Sequence, residues 1–499
     1  GSFSFVRRRR HSAASNAHTS TGSPHTPGMG GGSTTRRPRL TNADPLNDNS
    51  KTWDEVLSAG GDSEGPSRSL FLQLMKQVKV GQDLSKIVLP VHILEPRSLL
   101  EKLSDLFVHP DLIGAVAHAE DATDRVKRLT RWFLSAYHMR PKGVKKPYNP
   151  VLGETFECVF ARGTPDELWY FAEQVSHHPP ITCFRALHVE SKIEVVGSYV
   201  PRSKLVTPNT GASIGEGFFD VYIPGCSQNY RLGWPNANAV GILSAPLRLE
   251  LVGTVKVSPR DDPANSVRAE IHFEPKPYFG GEHDCVRAGI FAGQTKYPTF
   301  VIKGKWHSLT VISERTEQVS LKKDALTDTE PETFFDPDST TPVRPEALPT
   351  AFPRPSRLVW KNVTVALRAG DAKAAQEAKQ TIETAEREIR RAREARGEEY
   401  VPGYFRIVGE VKGTGKDTWR YTGPTPHPRG SPVNATLSKT GSPQPGFHGI
   451  NAAASSSATD LRAMLPPMAG TMSSRHATPQ GQTPPVRSPV AASSAALQQ

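Results

Sequence analysis

His177 and His178 are adjacent imidazoles on a stiff piece of chain. They belong to residues 173–180, Glu-Gln-Val-Ser-His-His-Pro-Pro, where Glu173, Gln174, Ser176, His177 and His178 set five polar side chains within six residues. Pro179 and Pro180 have no amide donors and fix their own φ, and Pro179 steers His178 towards extended backbone. Imidazole donates and accepts hydrogen bonds and takes up charge near neutral pH, so the pair suits an anionic ligand. Two other roles compete, metal ligation and plain structure. Neighbours in a strand point to opposite faces, which works against a shared ion, and no other His/Cys cluster at ligand spacing lies near. The residues alone leave all three open.

The octapeptide resembles the signature of the oxysterol-binding-protein-related lipid transfer proteins, the yeast Osh proteins among them. Upstream, Lys146-Pro-Tyr-Asn-Pro-Val-Leu-Gly-Glu-Thr-Phe156 is similar to that family's other fingerprint. The resemblance covers roughly residues 66–420. It implies an α+β fold: a large, near-complete antiparallel β-barrel with a lipid tunnel, an N-terminal lid and helices, and a C-terminal helical segment. It also implies exchange of a lipid for phosphatidylinositol 4-phosphate, with no bond made or broken and hence no catalytic residue, metal or cofactor. Carried over position by position, the phosphoinositide contacts are Lys146 and Asn149, His177 and His178, and Lys379 and Arg387, with Glu383 orienting the basic pair or accepting from an inositol hydroxyl. Each has a plainer alternative. Asn149 can shape the Asn-Pro turn, Lys146 can be a solvated charge, and Lys379, Glu383 and Arg387 at i, i+4, i+8 can be a salt-bridge ladder.

For the second ligand, Asp83-Leu-Ser-Lys-Ile-Val-Leu-Pro-Val-His-Ile-Leu-Glu-Pro-Arg-Ser98 is similar to the lid of the phosphatidylserine-transporting subgroup. The implied lid and phosphatidylserine residues are Leu89, Ile93 and Ser203, the serine contacting the head group. Val91 stands where a threonine is expected, which removes one donor. Sterol is the alternative cargo, and a phosphoinositide sensor that transfers nothing is the alternative function. A hydrolase built on His177 and His178 lacks a nucleophile or a metal set.

Composition frames these motifs. Residues 1–66 are rich in Ser, Gly, Thr, Pro and Arg, and 424–499 in Pro, Ser, Ala and Gly. Such segments bury too little apolar surface to offset chain entropy, so both read as disordered tails around one lipid-binding domain, 67–423, whose lid covers about 67–95. Neither tail has room for a pleckstrin-homology or ankyrin module, which reads as a short family member, and Gly1-Ser2 reads as a cloning remnant. Net charge is +11, and the first fifty residues hold Arg7–Arg10, Arg36, Arg37 and Arg39 against Asp44 and Asp48. A basic arm of this kind attracts anionic membrane surfaces. Nucleic acid is not expected as a partner, because no recognition module is evident. Four scattered cysteines, Cys158, Cys183, Cys226 and Cys285, suggest neither zinc nor a disulfide framework, and fit a reducing cytoplasm. With no long apolar run and no signal core, membrane contact is expected to be peripheral, at endoplasmic-reticulum and plasma-membrane contacts. Glu332-Thr-Phe-Phe-Asp-Pro-Asp338 is similar to the acidic two-phenylalanine tract that binds an endoplasmic-reticulum anchor protein, with Thr333 and Pro337 as imperfect matches.

The elements that must position the site follow from periodicity. Ser69–Lys79 has helical spacing ending at Gly81, and 83–90 reads extended. Glu95–Tyr137 reads as helices, with Leu99, Leu100, Leu103, Leu106 and Phe107 as one stripe and Val126, Leu129, Trp132 and Phe133 as another. From about 150 to 315, short β-rich runs alternate with turn residues, as a large antiparallel sheet or barrel requires. Residues 357–396 return to helix, capped by Asp371 and stopped by Gly397. There, Ala375, Ala378, Ile382, Ala385, Ile389 and Ala392 form a narrow stripe for packing on the body.

Overall fold

The apolar runs that alternate with turn residues become strands, and the strands make one sheet. The computed structural model describes residues 80–81, 91–140, 143–243, 247–264, 266–277, 279–323, 328–348, 352–411 and 416–424. The expected tails, the helix at 69–79 and the extended stretch 83–90 with Leu89 lie outside these residues. In chain order the strands are β1 (Leu94–Ser98), β2 (Lys146–Tyr148), β3 (Thr155–Phe160), β4 (Leu168–His177), β5 (Pro180–His188), β6 (Glu194–Thr207), β7 (Thr210–Glu216), β8 (Phe219–Tyr222), β9 (Tyr230–Leu232), β10 (Asn236–Val240), β11 (Arg248–Pro259), β12 (Arg268–Phe273), β13 (Cys285–Phe291), β14 (Phe300–Lys305), β15 (Thr310–Glu314), β16 (Glu332–Phe335), β17 (Glu346–Ala347), β18 (Phe405–Val411) and β19 (Lys416–Tyr421).

Fifteen strands form a near-complete antiparallel barrel in the order β16-β15-β14-β13-β12-β11-β10-β7-β6-β5-β4-β3-β17, with β8 and β9 as a second bridge between β6 and β11. The two long strands make this possible. β6 pairs β8 through Glu194–Gly197 and β7 from Val200 onwards. β11 pairs β10 up to Val252 and β9 from Val257.

Helices pack against the sheet. The helix Ala122–Ser135 starts on Asp121, whose side chain caps the Asp124 amide, and buries Val126, Leu129, Trp132 and Phe133 completely. Trp132 meets Phe107 at 5.8 Å and Phe219 at 6.1 Å, so helices and both halves of the sheet share one core. Among the described residues no helix is long and apolar enough to cross a membrane.

Two sequence expectations need correction. Glu95–Ser98, expected to open the helices, instead belongs to strand β1, in parallel register with β2, where Leu94 faces Lys146 and Ser98 faces Tyr148. Pro96 disfavours helix there, and Arg97 is buried in ion pairs with Glu95 and, at 2.6 Å, with Asp105. The Glu332–Asp338 tract is also not a free linear motif. Its first half is β16, paired with β15, and Phe334 and Phe335 are only 6% and 3% exposed, so it offers no anchor protein an exposed peptide.

Candidate functional site

The two fingerprint blocks, separate in sequence, lie side by side. The Gly153 amide donates to the Gln174 carbonyl at 2.9 Å, and the Gln174 amide donates to the Glu154 carbonyl at 2.9 Å. Gly153 turns the chain with φ +75°, and a Cβ there would meet the Tyr400 hydroxyl at 2.9 Å, so only glycine suits the position. Next to it, buried Tyr148 stacks on Trp360 with ring centroids 4.7 Å apart and bonds Thr364, fixing Lys146 and Asn149 on the rim.

The octapeptide divides into two jobs. Glu173 accepts from the Tyr400 hydroxyl and from the Gly403 and Tyr404 amides, tying the β18–β19 hairpin to β4. Gln174 accepts from Thr182 across the β4–β5 pair. His177 ends β4 and faces Pro180 of β5, so the turn is His178-Pro179, with a cis peptide between them. The imidazoles lie edge to face, centroids 4.8 Å apart. His177 Nδ1 lies 3.1 Å from the Pro150 carbonyl, which can only accept, so Nδ1 carries the proton. Burial, then the neighbouring His178, lowers the His177 pKa, favouring the neutral ring while no anion is present.

A helix brings the remaining cations. Asp371 caps the Ala374 amide of the helix Ala372–Ala395, and Gly397, with φ +67°, ends it where the Glu398 and Gly397 amides bond the Arg393 and Glu394 carbonyls. Ala375 is buried, and Ala378 and Ile382 pack beside it against Val91, Leu94, Val363 and Leu367. The apolar stripe does not pack along its whole length, as expected from sequence. Ile389 is 44% exposed, Ala392 is exposed too, and this half of the helix overhangs the cavity. An ion pair between Arg354 and Glu386 holds it there. Lys379 Nζ bonds Glu383 at 2.5 Å, half of the expected ladder, while Arg387 donates to Thr384 at 2.9 Å.

Nine of the ten sequence candidates are described, and all nine line one cavity of about 1350 Å³: Ile93, Lys146, Asn149, His177, His178, Ser203, Lys379, Glu383 and Arg387. The tenth, Leu89, lies outside the described residues. Drug-sized ligands occupy roughly 300–1,000 Å³, so this space suits something longer. Buried Leu103, Leu106 and Leu251 line it, with Ile214 and Trp234, alongside the cations Lys146, Lys379 and Arg387. Such a lining suits an amphiphile with an acidic head and apolar tails. Sequence reasoning missed Arg390, which also lines the cavity and whose Nη1 lies 3.0 Å from His178 Nε2. One helical turn past Arg387 on the same side was the available signal.

Residues 73–429 match the sequence model of a family described as oxysterol-binding protein. Human oxysterol-binding protein-related protein 5 is 34% identical over 349 residues, 68% of this chain and 38% of that protein. Oxysterol-binding protein-like protein OBPa of Candida albicans is 33% identical over 354 residues, 70% of this chain and 78% of that protein. The chain thus spans under two fifths of the length of the human relatives it matches. Two solved structures share the fold. The Osh1 ORD domain in complex with ergosterol aligns with TM-score 0.60 and 25% identity over 75% of this chain and 90% of that one. The Osh3 ORD in complex with PI(4)P, from Saccharomyces cerevisiae, aligns with TM-score 0.53 and 21% identity over 75% and 94%.

Proposed function

The chain belongs to the oxysterol-binding protein family, and on that premise we propose that it is a lipid transfer protein exchanging phosphatidylserine for phosphatidylinositol 4-phosphate between membranes. One observation carries the reading: the polar candidates from four separate stretches of sequence ring the mouth of a single apolar cavity. A diacyl lipid buries roughly thirty CH₂ groups at about 0.8 kcal/mol each, so it leaves a bilayer only for an equally apolar space. The phosphates of the inositide meet Lys146, Lys379, Arg387 and the two histidines, where charge-assisted bonds hold them. Asn149 adds an uncharged donor, and Glu383 places Lys379. The chemistry asks for binding and release only, so the protein is not an enzyme. The work is done at membrane contacts of the endoplasmic reticulum, on anionic surfaces that attract the basic N-terminal arm, within a single domain spanning about 67–423.

Phosphatidylserine as the second cargo is supported by the likeness of the 83–98 segment to that subgroup and by Ser203, on β6 opposite Ser213 of β7, lining the cavity. Sterol is the second reading, favoured by the fold shared with the ergosterol-bound Osh1 domain. Mass spectrometry of the lipid co-purified from cells, followed by transfer between liposomes, decides. Phosphatidylserine and phosphatidylinositol 4-phosphate moving in opposite directions is the expected result. Sterol movement without phosphatidylserine movement favours the second reading, and binding without transfer makes the protein a sensor.

A further inference from the structure

Arg390 stands outside the seven head-group positions that the resemblance supplies, yet it spans the mouth. Its Nη1 lies 3.0 Å from His178 Nε2, joining the long helix to the β4–β5 turn across 212 positions of chain. Arginine only donates, so Nε2 accepts and His178 keeps its proton on Nδ1. Arg390 Nε makes no hydrogen bond, and Glu394, on the next turn, pairs with it loosely at 3.7 Å. A guanidinium held by one loose, exposed ion pair and one ring nitrogen still has donors to offer the bidentate anion that its fork geometry favours. The other charged groups close to this point are His177, packed on His178, then Glu383, Glu386, Arg387 and Arg393 of the helix, which line the same cavity, and Glu394, paired with Arg390.

Resting on the phosphoinositide reading, we propose that Arg390 is a further phosphate-binding residue, parked on His178 in the empty site and handed to a phosphomonoester when the head group enters. The exchange is coupled. While Arg390 donates to Nε2, that nitrogen cannot donate to a phosphate. Once the guanidinium moves to the phosphate, the ring can carry its N–H on Nε2 instead of Nδ1 and becomes a second donor to the same group. A phosphomonoester, whose second ionisation lies near pH 6, carries enough charge to draw both donors. The phosphodiester of phosphatidylserine carries a single charge and draws them less, so the pair sorts the two cargoes by phosphate type.

The test compares wild type with Arg390→Met, which keeps bulk without a donor, with Arg390→Lys, which keeps the charge, and with Arg391→Met, a control at an exposed neighbour. Extraction is measured from phosphatidylcholine vesicles holding phosphatidylinositol 4-phosphate and, separately, phosphatidylserine. Inorganic phosphate forms a third arm that separates a lipid head group from free phosphate. Arg390→Met is expected to lose about ten-fold or more in phosphoinositide affinity, with Arg390→Lys restoring most of it and phosphatidylserine extraction unchanged. In ¹⁵N spectra His178 Nε2 is expected to read as an acceptor in the empty wild type and as a donor after ligand addition. Phosphoinositide and phosphate affinities unchanged by Arg390→Met overturn the proposal, as does equal loss of phosphatidylserine. Wild type that extracts no phosphoinositide sinks the transfer reading. The inorganic phosphate arm and the spectra then judge Arg390 on their own, a loss on Arg390→Met supporting it and no change overturning it.

Discussion

Trp360 donates its indole N–H to Glu154 at 2.9 Å, a bond that closes 206 positions of chain. The same carboxyl accepts from Ser98 Oγ at 2.5 Å, Ser356 Oγ at 2.6 Å and the Val151 amide at 2.9 Å. Glu154 is wholly buried, and burial raises its pKa despite these donors. It therefore joins β1, the block bearing Lys146 and Asn149, and the segment leading into the long helix. Glu154→Ala would strand four donors and is expected to cost about 3–5 kcal/mol in denaturant unfolding. Glu154→Gln, which keeps one acceptor oxygen, is expected to cost less. An alanine variant within about 1 kcal/mol of wild type would show that the hub is not needed.

His177→Ala combined with His178→Ala is expected to abolish extraction of phosphatidylinositol 4-phosphate and leave phosphatidylserine binding measurable. On the proposed reading the imidazoles serve the phosphates of the inositide, whereas a second head group uses only part of the rim. A liposome extraction assay checks this, and equal loss of both lipids would contradict the division.

Lys379→Ala and Arg387→Ala are each expected to weaken phosphoinositide binding by about 1–3 kcal/mol. The larger loss belongs to Lys379, because its removal also leaves Glu383 without its 2.5 Å partner, facing an anionic ligand. Arg387 is exposed and bonded to Thr384, so its truncation should leave apo thermal stability unchanged. Lower stability with unchanged affinity would return these residues to the salt-bridge reading.

His109 and His138 meet through their Nε2 atoms at 2.9 Å beside Phe335, and burial lowers both to about 4. The unfolded rings titrate near 6.5, so in that window the unfolded chain binds more protons. Stability is full above pH 6.5 and is lost as pH falls towards 4, on the order of 3 kcal/mol for the interacting pair. Denaturation between pH 4.5 and 7 checks the slope. His138→Gln, which keeps a donor for His109, is expected to flatten it, and an unchanged slope would place the acid sensitivity elsewhere.

What was legible in the sequence is what local chemistry decides. Asp371 and Gly397 mark the ends of the long helix because capping is a matter of a few residues. Val126, Leu129, Trp132 and Phe133 declare a buried face by spacing alone. Glu95–Ser98 was misread because its strand partner, Lys146–Tyr148, lies about fifty residues away and supplies the pairing. The outer half of the alanine stripe was misread for a related reason. Periodicity reports an apolar face but not what stands opposite, and opposite Ile389 stands a cavity. Arg390 hid among five arginines between 387 and 396. Only the fold singles it out, by setting it against His178.

The mouth is built from two parts of the chain that are synthesised far apart. His178 leaves the ribosome about two hundred residues before Lys379, Arg387 and Arg390 exist. At roughly 5–20 residues per second that gap lasts about 10–40 s. Through it the apolar barrel wall has neither the helix that overhangs it nor the Trp360 that fastens Glu154. A nascent chain in this interval presents a long apolar trough to water.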